Sequence, residues 1–159
     1  MSKIVTQSLE GNVLHAFGLA NEFLKVCPDE IWAQKFGGWP VWQQLFHAFT
    51  AIDFFLRPAD AAPEAPLFGE GVGDLKEPAK NTPSKAAVQD YIEKAQAKVR
   101  EYIAGLDDAA LAKNNEPLAG RFGREITHAG TVALIASHTM YHLGSCDAAL
   151  RENGKPGVF

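Results

Sequence analysis

The sequence predicts an all-α protein, a four-helix bundle, and three observations lead to this prediction. Four long stretches carry apolar residues at the three- and four-residue spacing of one helix face. No stretch alternates apolar and polar residues convincingly enough to predict a strand. A long segment rich in proline and glycine separates the second stretch from the third, and four helices with one long connection fit a bundle.

The first helix is predicted over about residues 3–26, and Pro28 closes it. Apolar side chains recur along it at helical spacing: Leu9, Val13, Phe17, Ala20 and Leu24. Residues 28–38 follow as a short turn, because the Gly37-Gly38 pair breaks regular structure. This turn is expected to connect the first helix to the second.

The second helix is predicted from near Pro40 to Arg57, since proline suits the first turn of a helix and Pro58 stops this one. Residues 58–83 then hold five of the nine prolines together with several glycines. A stretch of this length without regular structure is unusual inside a compact domain. It suggests a loop or lid that covers part of the bundle.

The third helix is predicted to begin at Thr82-Pro83, with Thr82 as its N-terminal cap, and to continue to about Ala104. Gly105 is the expected terminator of this helix. Asp107 follows directly, and its carboxylate is expected to cap a short extra turn with the sequence DDAALAK.

The fourth helix is predicted from about Thr127 to Asn153, and Gly154 and Pro156 close it. Residues 114–125, which precede it, are expected to be irregular. At 1.5 Å per residue this helix would be ~40 Å long, which is enough to span a whole bundle.

The composition predicts one globular domain over residues 1–159 and excludes several classes of partner. The net charge of −4 and the lack of a Lys/Arg run argue against a nucleic acid or an anionic membrane surface. No apolar run approaches the ~20 residues of a membrane helix, and charged residues interrupt the start, where a signal peptide would be apolar. Cys27 and Cys146 lie far apart, so we expect reduced thiols and a cytoplasmic protein.

His138 and His142 lie four residues apart in the fourth helix, so both imidazoles can address a single point. Ser145 and Ala149 follow on the same face, where small side chains are expected to leave space. Two imidazoles with room around them suit a metal ion. The residue after the first histidine is Thr139 rather than the glutamate of H-E-x-x-H, and this excludes a zinc-protease motif.

His47 is the candidate for a third ligand, and it belongs to the second helix. The strongest apolar stripe of this helix consists of Trp42, Leu45, Phe49, Ile52 and Leu56. His47 lies almost opposite this stripe, close to Gln43, Ala51 and Phe54. A helix that is apolar on two sides needs burial on two sides. We therefore expect His47 to face the bundle interior and the stripe to face a neighbouring helix or a second subunit, as in a homodimer.

The other polar candidates favour ordinary structural roles. His15 is a less favoured ligand on the first helix, and His128 lies ~15 Å along the axis from His138, too far to share its site. Asp53 and Arg57 are expected to form an ion pair, and Tyr141 to pack at a helix contact. For Arg121 and Arg124, solvation is favoured over binding of an anionic substrate, although the loops 58–83 and 113–126 are expected to shape the mouth of a pocket.

Two motifs carry a resemblance to a known family. The string LFHAFTAIDFFL spans residues 45–56, and HTMYHLGSCDAALRENG spans residues 138–154. Together with the long loop, these strings resemble the DinB-like superfamily, which is distinct from the DNA polymerase of similar name. Its most specific part is Y-H-L-G-x-x-D-x-x-L-R-x-x-G, from Tyr141 to Gly154.

The resemblance implies an up-down-down-up bundle whose three-histidine site holds a divalent metal ion, with zinc or nickel as the expected occupants. Its ligands carry over to His47, His138 and His142. Relatives include thiol-dependent S-transferases and a mycothiol-dependent maleylpyruvate isomerase, and dimers are common among them. The resemblance therefore implies a small-molecule substrate and a low-molecular-weight thiol as a second cofactor.

The expected function is that of a metal-dependent enzyme, with thiol S-transfer as its implied reaction. Three neutral imidazoles leave an open position on a metal ion, which is typical of catalytic rather than structural sites. No protein general base can be named from the sequence. The alternative is a non-catalytic bundle, associated with stress, that binds a metal ion or a small ligand.

Overall fold

The computed structural model describes residues 2–159, which are mostly helical, as the sequence predicts. Four helices are long: α1 (Ile4–Val26), α3 (Val41–Leu56), α4 (Lys85–Ala104) and α7 (His128–Glu152). Three helices are short: α2 (Asp29–Trp32), α5 (Asp108–Leu111) and α6 (Glu116–Phe122). The two strands β1 (Lys35–Phe36) and β2 (Trp39–Pro40) form a small antiparallel hairpin.

The four long helices surround a connected cluster of buried apolar side chains. Helix α7 packs against both α1 and α3, and α4 packs against the same two helices. Phe17 of α1 and Phe49 of α3 meet across the core with their ring centroids 5.0 Å apart, and both side chains are fully buried. Burial of one such side chain contributes about 1.5–3 kcal/mol to folding. The up-down-down-up order and the single domain over residues 1–159 stay predictions, and Met1 lies outside the described residues.

The third long helix begins two residues later than predicted, because Ser84 rather than Thr82 is its cap. The Ser84 hydroxyl accepts the backbone N–H of Ala87 at 3.2 Å. Pro83 lies outside the helix, and its carbonyl accepts the indole N–H of Trp32 at 2.9 Å. The backbone of Ser84 itself is extended, with φ −66° and ψ 152°. The Thr82 prediction is therefore wrong, although Gly105 ends the helix and Asp107 caps α5 as predicted.

Residues 114–125 are not irregular as predicted, because they contain the short helix α6. The side chain of Asn115 caps it by accepting the N–H of Leu118, and Pro117 lies in its first turn. Gly123 ends it in the left-handed conformation, with φ 64°. Asparagine, proline and glycine at these positions are helix signals, but seven residues with an internal glycine are too few for a clear apolar period.

The predicted turn at 28–38 holds more regular structure than expected, namely α2 and the first strand of the hairpin. Gly37 and Gly38 connect the two strands with φ values of 60° and 97°. Both values suit glycine, and a turn with positive φ at both central residues matches the twist of a hairpin. The strands escape sequence patterns because each has only two residues.

The long connection between α3 and α4 lies against the side of α3. Its Phe68 contacts two aromatic rings of α3, with centroids 5.9 Å from Trp42 and 4.8 Å from Phe46. Val72 is fully buried beside them. This connection therefore covers the half of α3 that carries His47.

Candidate metal centre

His47, His138 and His142 meet between α3 and α7. Their ring centroids lie 5.1 Å (His47–His138), 4.6 Å (His47–His142) and 4.7 Å (His138–His142) apart. One nitrogen of each ring can be chosen so that the three atoms lie within 4.8 Å of one another. Ligands of a tetrahedral zinc ion, with bonds of ~2.0–2.1 Å, lie roughly 3.3 Å apart. Small side-chain rotations would therefore bring the three nitrogens onto one ion, so the three histidines could hold a divalent metal.

His47 is oriented by the long connection. Its Nδ1 lies 2.6 Å from the carbonyl oxygen of Gly73. A carbonyl only accepts, so Nδ1 carries the hydrogen, and Nε2 of the neutral ring keeps its lone pair. Thr50 lies one turn further along α3, and its hydroxyl donates to the same carbonyl at 2.7 Å. A ring N–H bonded to a carbonyl is the usual arrangement of a metal-binding histidine.

His138 carries a nitrogen that fits a ligand, because its Nδ1 is buried without a hydrogen-bond partner. A buried polar atom of this kind is rare and needs a partner of some sort. Burial lowers the pKa of His138, and the neighbouring His47 lowers it further. Burial, reinforced by His47 and His138, lowers the pKa of His142 to about 4. Both rings are therefore neutral at pH 7, which is the form that binds metals.

Aromatic side chains border the three histidines. Phe55 meets the His138 ring edge-on, with centroids 5.5 Å apart. Tyr141 meets the His142 ring at 5.0 Å, yet 76% of its surface is exposed. The prediction that Tyr141 packs at a helix contact is therefore wrong within this chain. Its ring instead forms an exposed border of the histidine cluster.

The small residues after His142 were expected to leave space for a metal ion, and this expectation is wrong. The hydroxyl of Ser145 donates to the side-chain oxygen of Gln44 at 2.8 Å, so that a glutamine occupies the space. Ala149 is fully buried in the apolar core. At Ser145 the hairpin also comes close to α7, since a Cβ atom on Gly37 would lie 3.6 Å from the Ser145 hydroxyl.

The remaining histidines lie outside the cluster. His15 is exposed on α1, and it is not part of the group. His128 begins α7, directly after the predicted start at Thr127, and its Nδ1 lies 2.6 Å from the hydroxyl of Tyr102. Neither histidine contributes to the candidate site.

Arg121 is not simply solvated, as predicted, because it binds the end of α3. Its guanidinium donates to the carbonyls of Phe54 (3.0 Å), Arg57 (2.5 Å) and Pro58 (3.0 Å). Arg124 is exposed. The expected ion pair between Asp53 and Arg57 is present at 3.6 Å, and Lys98 lies at the same distance from Asp53.

A cavity of about 360 Å³ lies between α3 and the long connection. Thr50 and Gly73 are part of its wall, so it adjoins the groups that orient His47. Its wall also contains Asp53, Glu64 and Tyr91. Burial raises the pKa of Tyr91, and the two carboxylates add to this effect, so the phenol stays protonated at neutral pH. The sequence predicts that the 58–83 loop shapes the mouth of a pocket, but it does not identify Asp53, Glu64 or Tyr91 as residues of its wall.

Known proteins with a similar sequence or structure share the helical architecture of this chain. A family model described as the DinB superfamily matches residues 16–146. The crystal structure of a DinB-like protein from Bacillus cereus ATCC 10987 is similar to this chain, with a TM-score of 0.70 and 21% identity. The similarity covers 96% of this chain and 97% of that chain, and at this identity it shows the fold alone. No curated protein matches the sequence.

The family match also confirms the resemblance inferred from the two motifs. It includes α3 with His47 and the part of α7 that carries His138 and His142. No helix of residues 2–159 is long and apolar enough to cross a membrane. Because the family model matches most of the sequence, this chain belongs to the DinB superfamily.

Proposed function

We propose that this chain is a metal-dependent enzyme in which His47, His138 and His142 bind one divalent ion. The observation that carries the proposal is the convergence of three imidazoles whose nitrogens lie within 4.8 Å of one another. One of the rings is oriented by a carbonyl, and another has a buried nitrogen without a partner. Structural zinc sites usually have four protein ligands, so three histidines favour a site with an open position.

Zinc or nickel is the proposed ion, since imidazole is a good ligand for both. When bound, such an ion supplies Lewis acidity and lowers the pKa of a thiol or water molecule beside it. The three histidines would hold and orient the ion, and Phe55 would exclude water behind His138. The exposed side next to Tyr141 leaves access for a small-molecule substrate.

The proposed reaction is S-transfer, in which the sulfur of a low-molecular-weight thiol forms a bond to a carbon of a small molecule, and the leaving group displaced from that carbon departs with the thiol proton. The cysteines of the chain are poor candidates for the reacting thiol, because both Cys27 and Cys146 are free but buried. Burial raises the pKa of Cys27 to about 11 and also raises that of Cys146, so neither is a thiolate at neutral pH. The thiol would therefore have to come from a separate molecule.

A metal-binding bundle without catalysis is the second candidate, and one observation favours it. The group of possible ligands within residues 2–159 contains no carboxylate that could serve as a base. Thr139 lies where H-E-x-x-H has its glutamate, and its buried hydroxyl has no hydrogen-bond partner. Binding of a metal ion or a small ligand without turnover would fit this arrangement.

Metal content of tag-free protein tests the proposal. We expect about one equivalent of zinc or nickel in the wild type after incubation with the ion, and its loss in His47→Ala, because two ligands hold an ion poorly. His15→Ala is the matched control, since His15 is exposed and outside the cluster. Equal metal content in wild type and His47→Ala would show that the ligands are misassigned. Turnover with a low-molecular-weight thiol then distinguishes the enzyme from the binding protein.

Homodimerisation and a cytoplasmic location are part of the proposal. Both sides of α3 are already covered within the chain, by the other helices and by the long connection, so this helix does not require a second subunit. The dimer proposal therefore rests on the family resemblance alone. A species of ~17 kDa in gel filtration would contradict it.

A further inference from the structure

The residues from Gly69 to Glu77 form a compact turn, which we call the 69–77 turn. The Gly71 carbonyl accepts two backbone N–H groups, from Lys76 at 2.9 Å and from Glu77 at 3.2 Å. Positive φ values occur at Gly69 (119°), Gly71 (75°) and Leu75 (54°), and Leu75 is the sole non-glycine residue of the described chain with this property. Leucine in this conformation is strained, so contacts outside the turn have to hold it.

Three polar side chains on one face of α3 hold the 69–77 turn. Gln43 donates to the carbonyls of Val72 (3.1 Å) and Glu77 (2.7 Å). The two others, His47 and Thr50, both bond to the Gly73 carbonyl, at 2.6 and 2.7 Å. Spacings of four and three residues place these side chains in one row along the helix. The candidate metal ligand is therefore the middle contact of the row.

Gly73 lies so close to Thr50 that even a methyl side chain at residue 73 would be crowded. A Cβ atom at residue 73 would lie 3.1 Å from Cγ2, 3.2 Å from Oγ1 and 3.3 Å from Cβ of Thr50. These distances are shorter than ordinary van der Waals contacts, and the stiff side chain of threonine has little freedom to move away. The glycine is thus what lets the carbonyl reach His47.

We propose that the 69–77 turn is the outer shell of the metal centre, with Thr50 and Gly73 as positioning residues for His47. This inference rests on the proposed function, because it takes His47 to be a ligand. The turn keeps the hydrogen on Nδ1 and leaves Nε2 free for the ion, and an ion on Nε2 in turn requires the hydrogen on Nδ1. Docking of the turn and binding of the ion therefore strengthen one another, and this coupling is reciprocal.

The zinc affinity of two variants tests the positioning role. Thr50→Val keeps the shape of the side chain and removes the hydroxyl that donates to the Gly73 carbonyl at 2.7 Å and lies 3.1 Å from the backbone carbonyl of His47, and we expect zinc to bind about 3- to 10-fold more weakly. Gly73→Ala displaces the carbonyl itself, and we expect a loss of about 10- to 100-fold. Thr139→Val is the matched control for the first variant, because it removes a hydroxyl that has no partner. Gly18→Ala is the control for the second, since a Cβ there contacts nothing within 4 Å.

Trypsin cleavage after the exposed Lys76 tests the other half of the coupling, namely whether bound zinc holds the 69–77 turn in place. Zinc should slow cleavage of the wild type and of Thr139→Val by a similar factor, and should slow cleavage of Thr50→Val less. Circular dichroism tests whether each variant is folded. If Gly73→Ala is unfolded, the comparison of Thr50→Val with Thr139→Val decides whether the turn positions His47.

Three outcomes separate the two proposals. A wild type that binds no zinc would overturn the proposed function. Zinc binding with equal affinity in wild type and Thr50→Val, together with cleavage that does not respond to zinc, would overturn the outer-shell role and leave the three-histidine site intact. Weaker zinc binding and weaker protection in Thr50→Val alone would support both.

Discussion

Gln44 shows how a single side chain can hold three elements together. Its Nε2 donates to the carbonyls of Phe36 (2.5 Å) and Trp39 (3.2 Å), one on each strand of the hairpin. Its Oε1 accepts the hydroxyl of Ser145 on α7 at 2.8 Å. The side chain is 5% exposed, so water has little access to replace these bonds. The amide of Gln44 therefore connects both strands of the hairpin to α7, in addition to the direct continuation of β2 into α3.

Replacement of Gln44 by leucine should lower the free energy of unfolding by about 1–3 kcal/mol, because it leaves three half-buried polar partners without their hydrogen bonds. Urea denaturation measures this change. Gln89→Leu is the control, since Gln89 is exposed on α4 and bonds to Glu93 alone. Equal effects of the two substitutions would show that the amide of Gln44 contributes no more than a surface glutamine.

The three histidines could be predicted from sequence, whereas the groups that orient them could not. His138 and His142 are neighbours on one helix by spacing alone, and His47 follows from the two apolar sides of its helix. Gly73 meets His47 because a long irregular segment folds back onto α3. No periodicity describes such a segment, so its contacts depend on tertiary structure.

At the scale of elements, α1 is capped by a residue distant in sequence. Lys3 precedes the helix and offers no side-chain cap. Asp108 of α5 instead accepts the N–H of Thr6 at 3.0 Å, the hydroxyl of Thr6 at 2.9 Å and that of Ser2 at 2.5 Å. These hydrogen bonds, led by that from Ser2, hold the pKa of Asp108 at about 2. A carboxylate at a helix N-terminus is also favoured by the helix dipole.

Asp108→Asn should lower the melting temperature by a few degrees at pH 7, because the amide accepts more weakly than the carboxylate. The folded-state pKa of Asp108 lies below the ordinary value of 3.8, so its contribution is present above pH 3.8 and is lost as the pH falls towards 2. The difference between wild type and variant should therefore shrink across this range. Thermal melts at pH 7, 4 and 2.5 measure it, with Asp90→Asn as an exposed control. A difference that stays constant with pH would rule out the carboxylate as the cap.

Arg121 connects α6 to the C-terminal end of α3, where helix carbonyls lack partners within the helix. Arg121→Ala should lower the free energy of unfolding by about 1–2 kcal/mol, since three carbonyls lose a charged donor. Arg124→Ala is the matched control, because Arg124 is three residues further along the chain, is exposed and lies over the ring of Phe122. Denaturant titration of both variants tests the difference. If the two variants are equally stable, the capping role of Arg121 is wrong.

The long elements were predictable because their periodicity extends over many turns. The observed ends of α1, α3 and α7 agree with the predicted ends to within about a residue, because prolines, glycines and Thr127 mark them in the sequence. The short elements were not predictable in the same way. Helix α6 depends on its cap and on Arg121, and the hairpin depends on Gln44, so both are stabilised by partners elsewhere in the chain.

At the scale of the whole molecule, the histidine cluster contributes to the response of the metal-free protein to acid, in the same direction as His128, whose pKa is also lowered by burial. The native state keeps His142 neutral, with a pKa lowered to about 4, whereas the unfolded chain has the ordinary value of 6.5. Between these two values the unfolded state binds a proton that the native state does not. Stability is therefore full above pH 6.5 and falls as the pH decreases towards 4. Burial lowers the pKa of His138 as well, and this acts in the same direction.

We expect the free energy of unfolding of metal-free wild type to decrease from pH 7.5 to pH 4.5, and the decrease to be smaller in His142→Gln, which has lost one of the titrating rings. His15→Gln is the control, because His15 is exposed and lies outside the cluster. Asp108 contributes only below pH 3.8, so its effect falls outside this range. The slope decides the question even if glutamine lowers stability at every pH. A slope in His142→Gln equal to that of wild type would mean that protons in this range act elsewhere, and that the cluster does not remain neutral by burial.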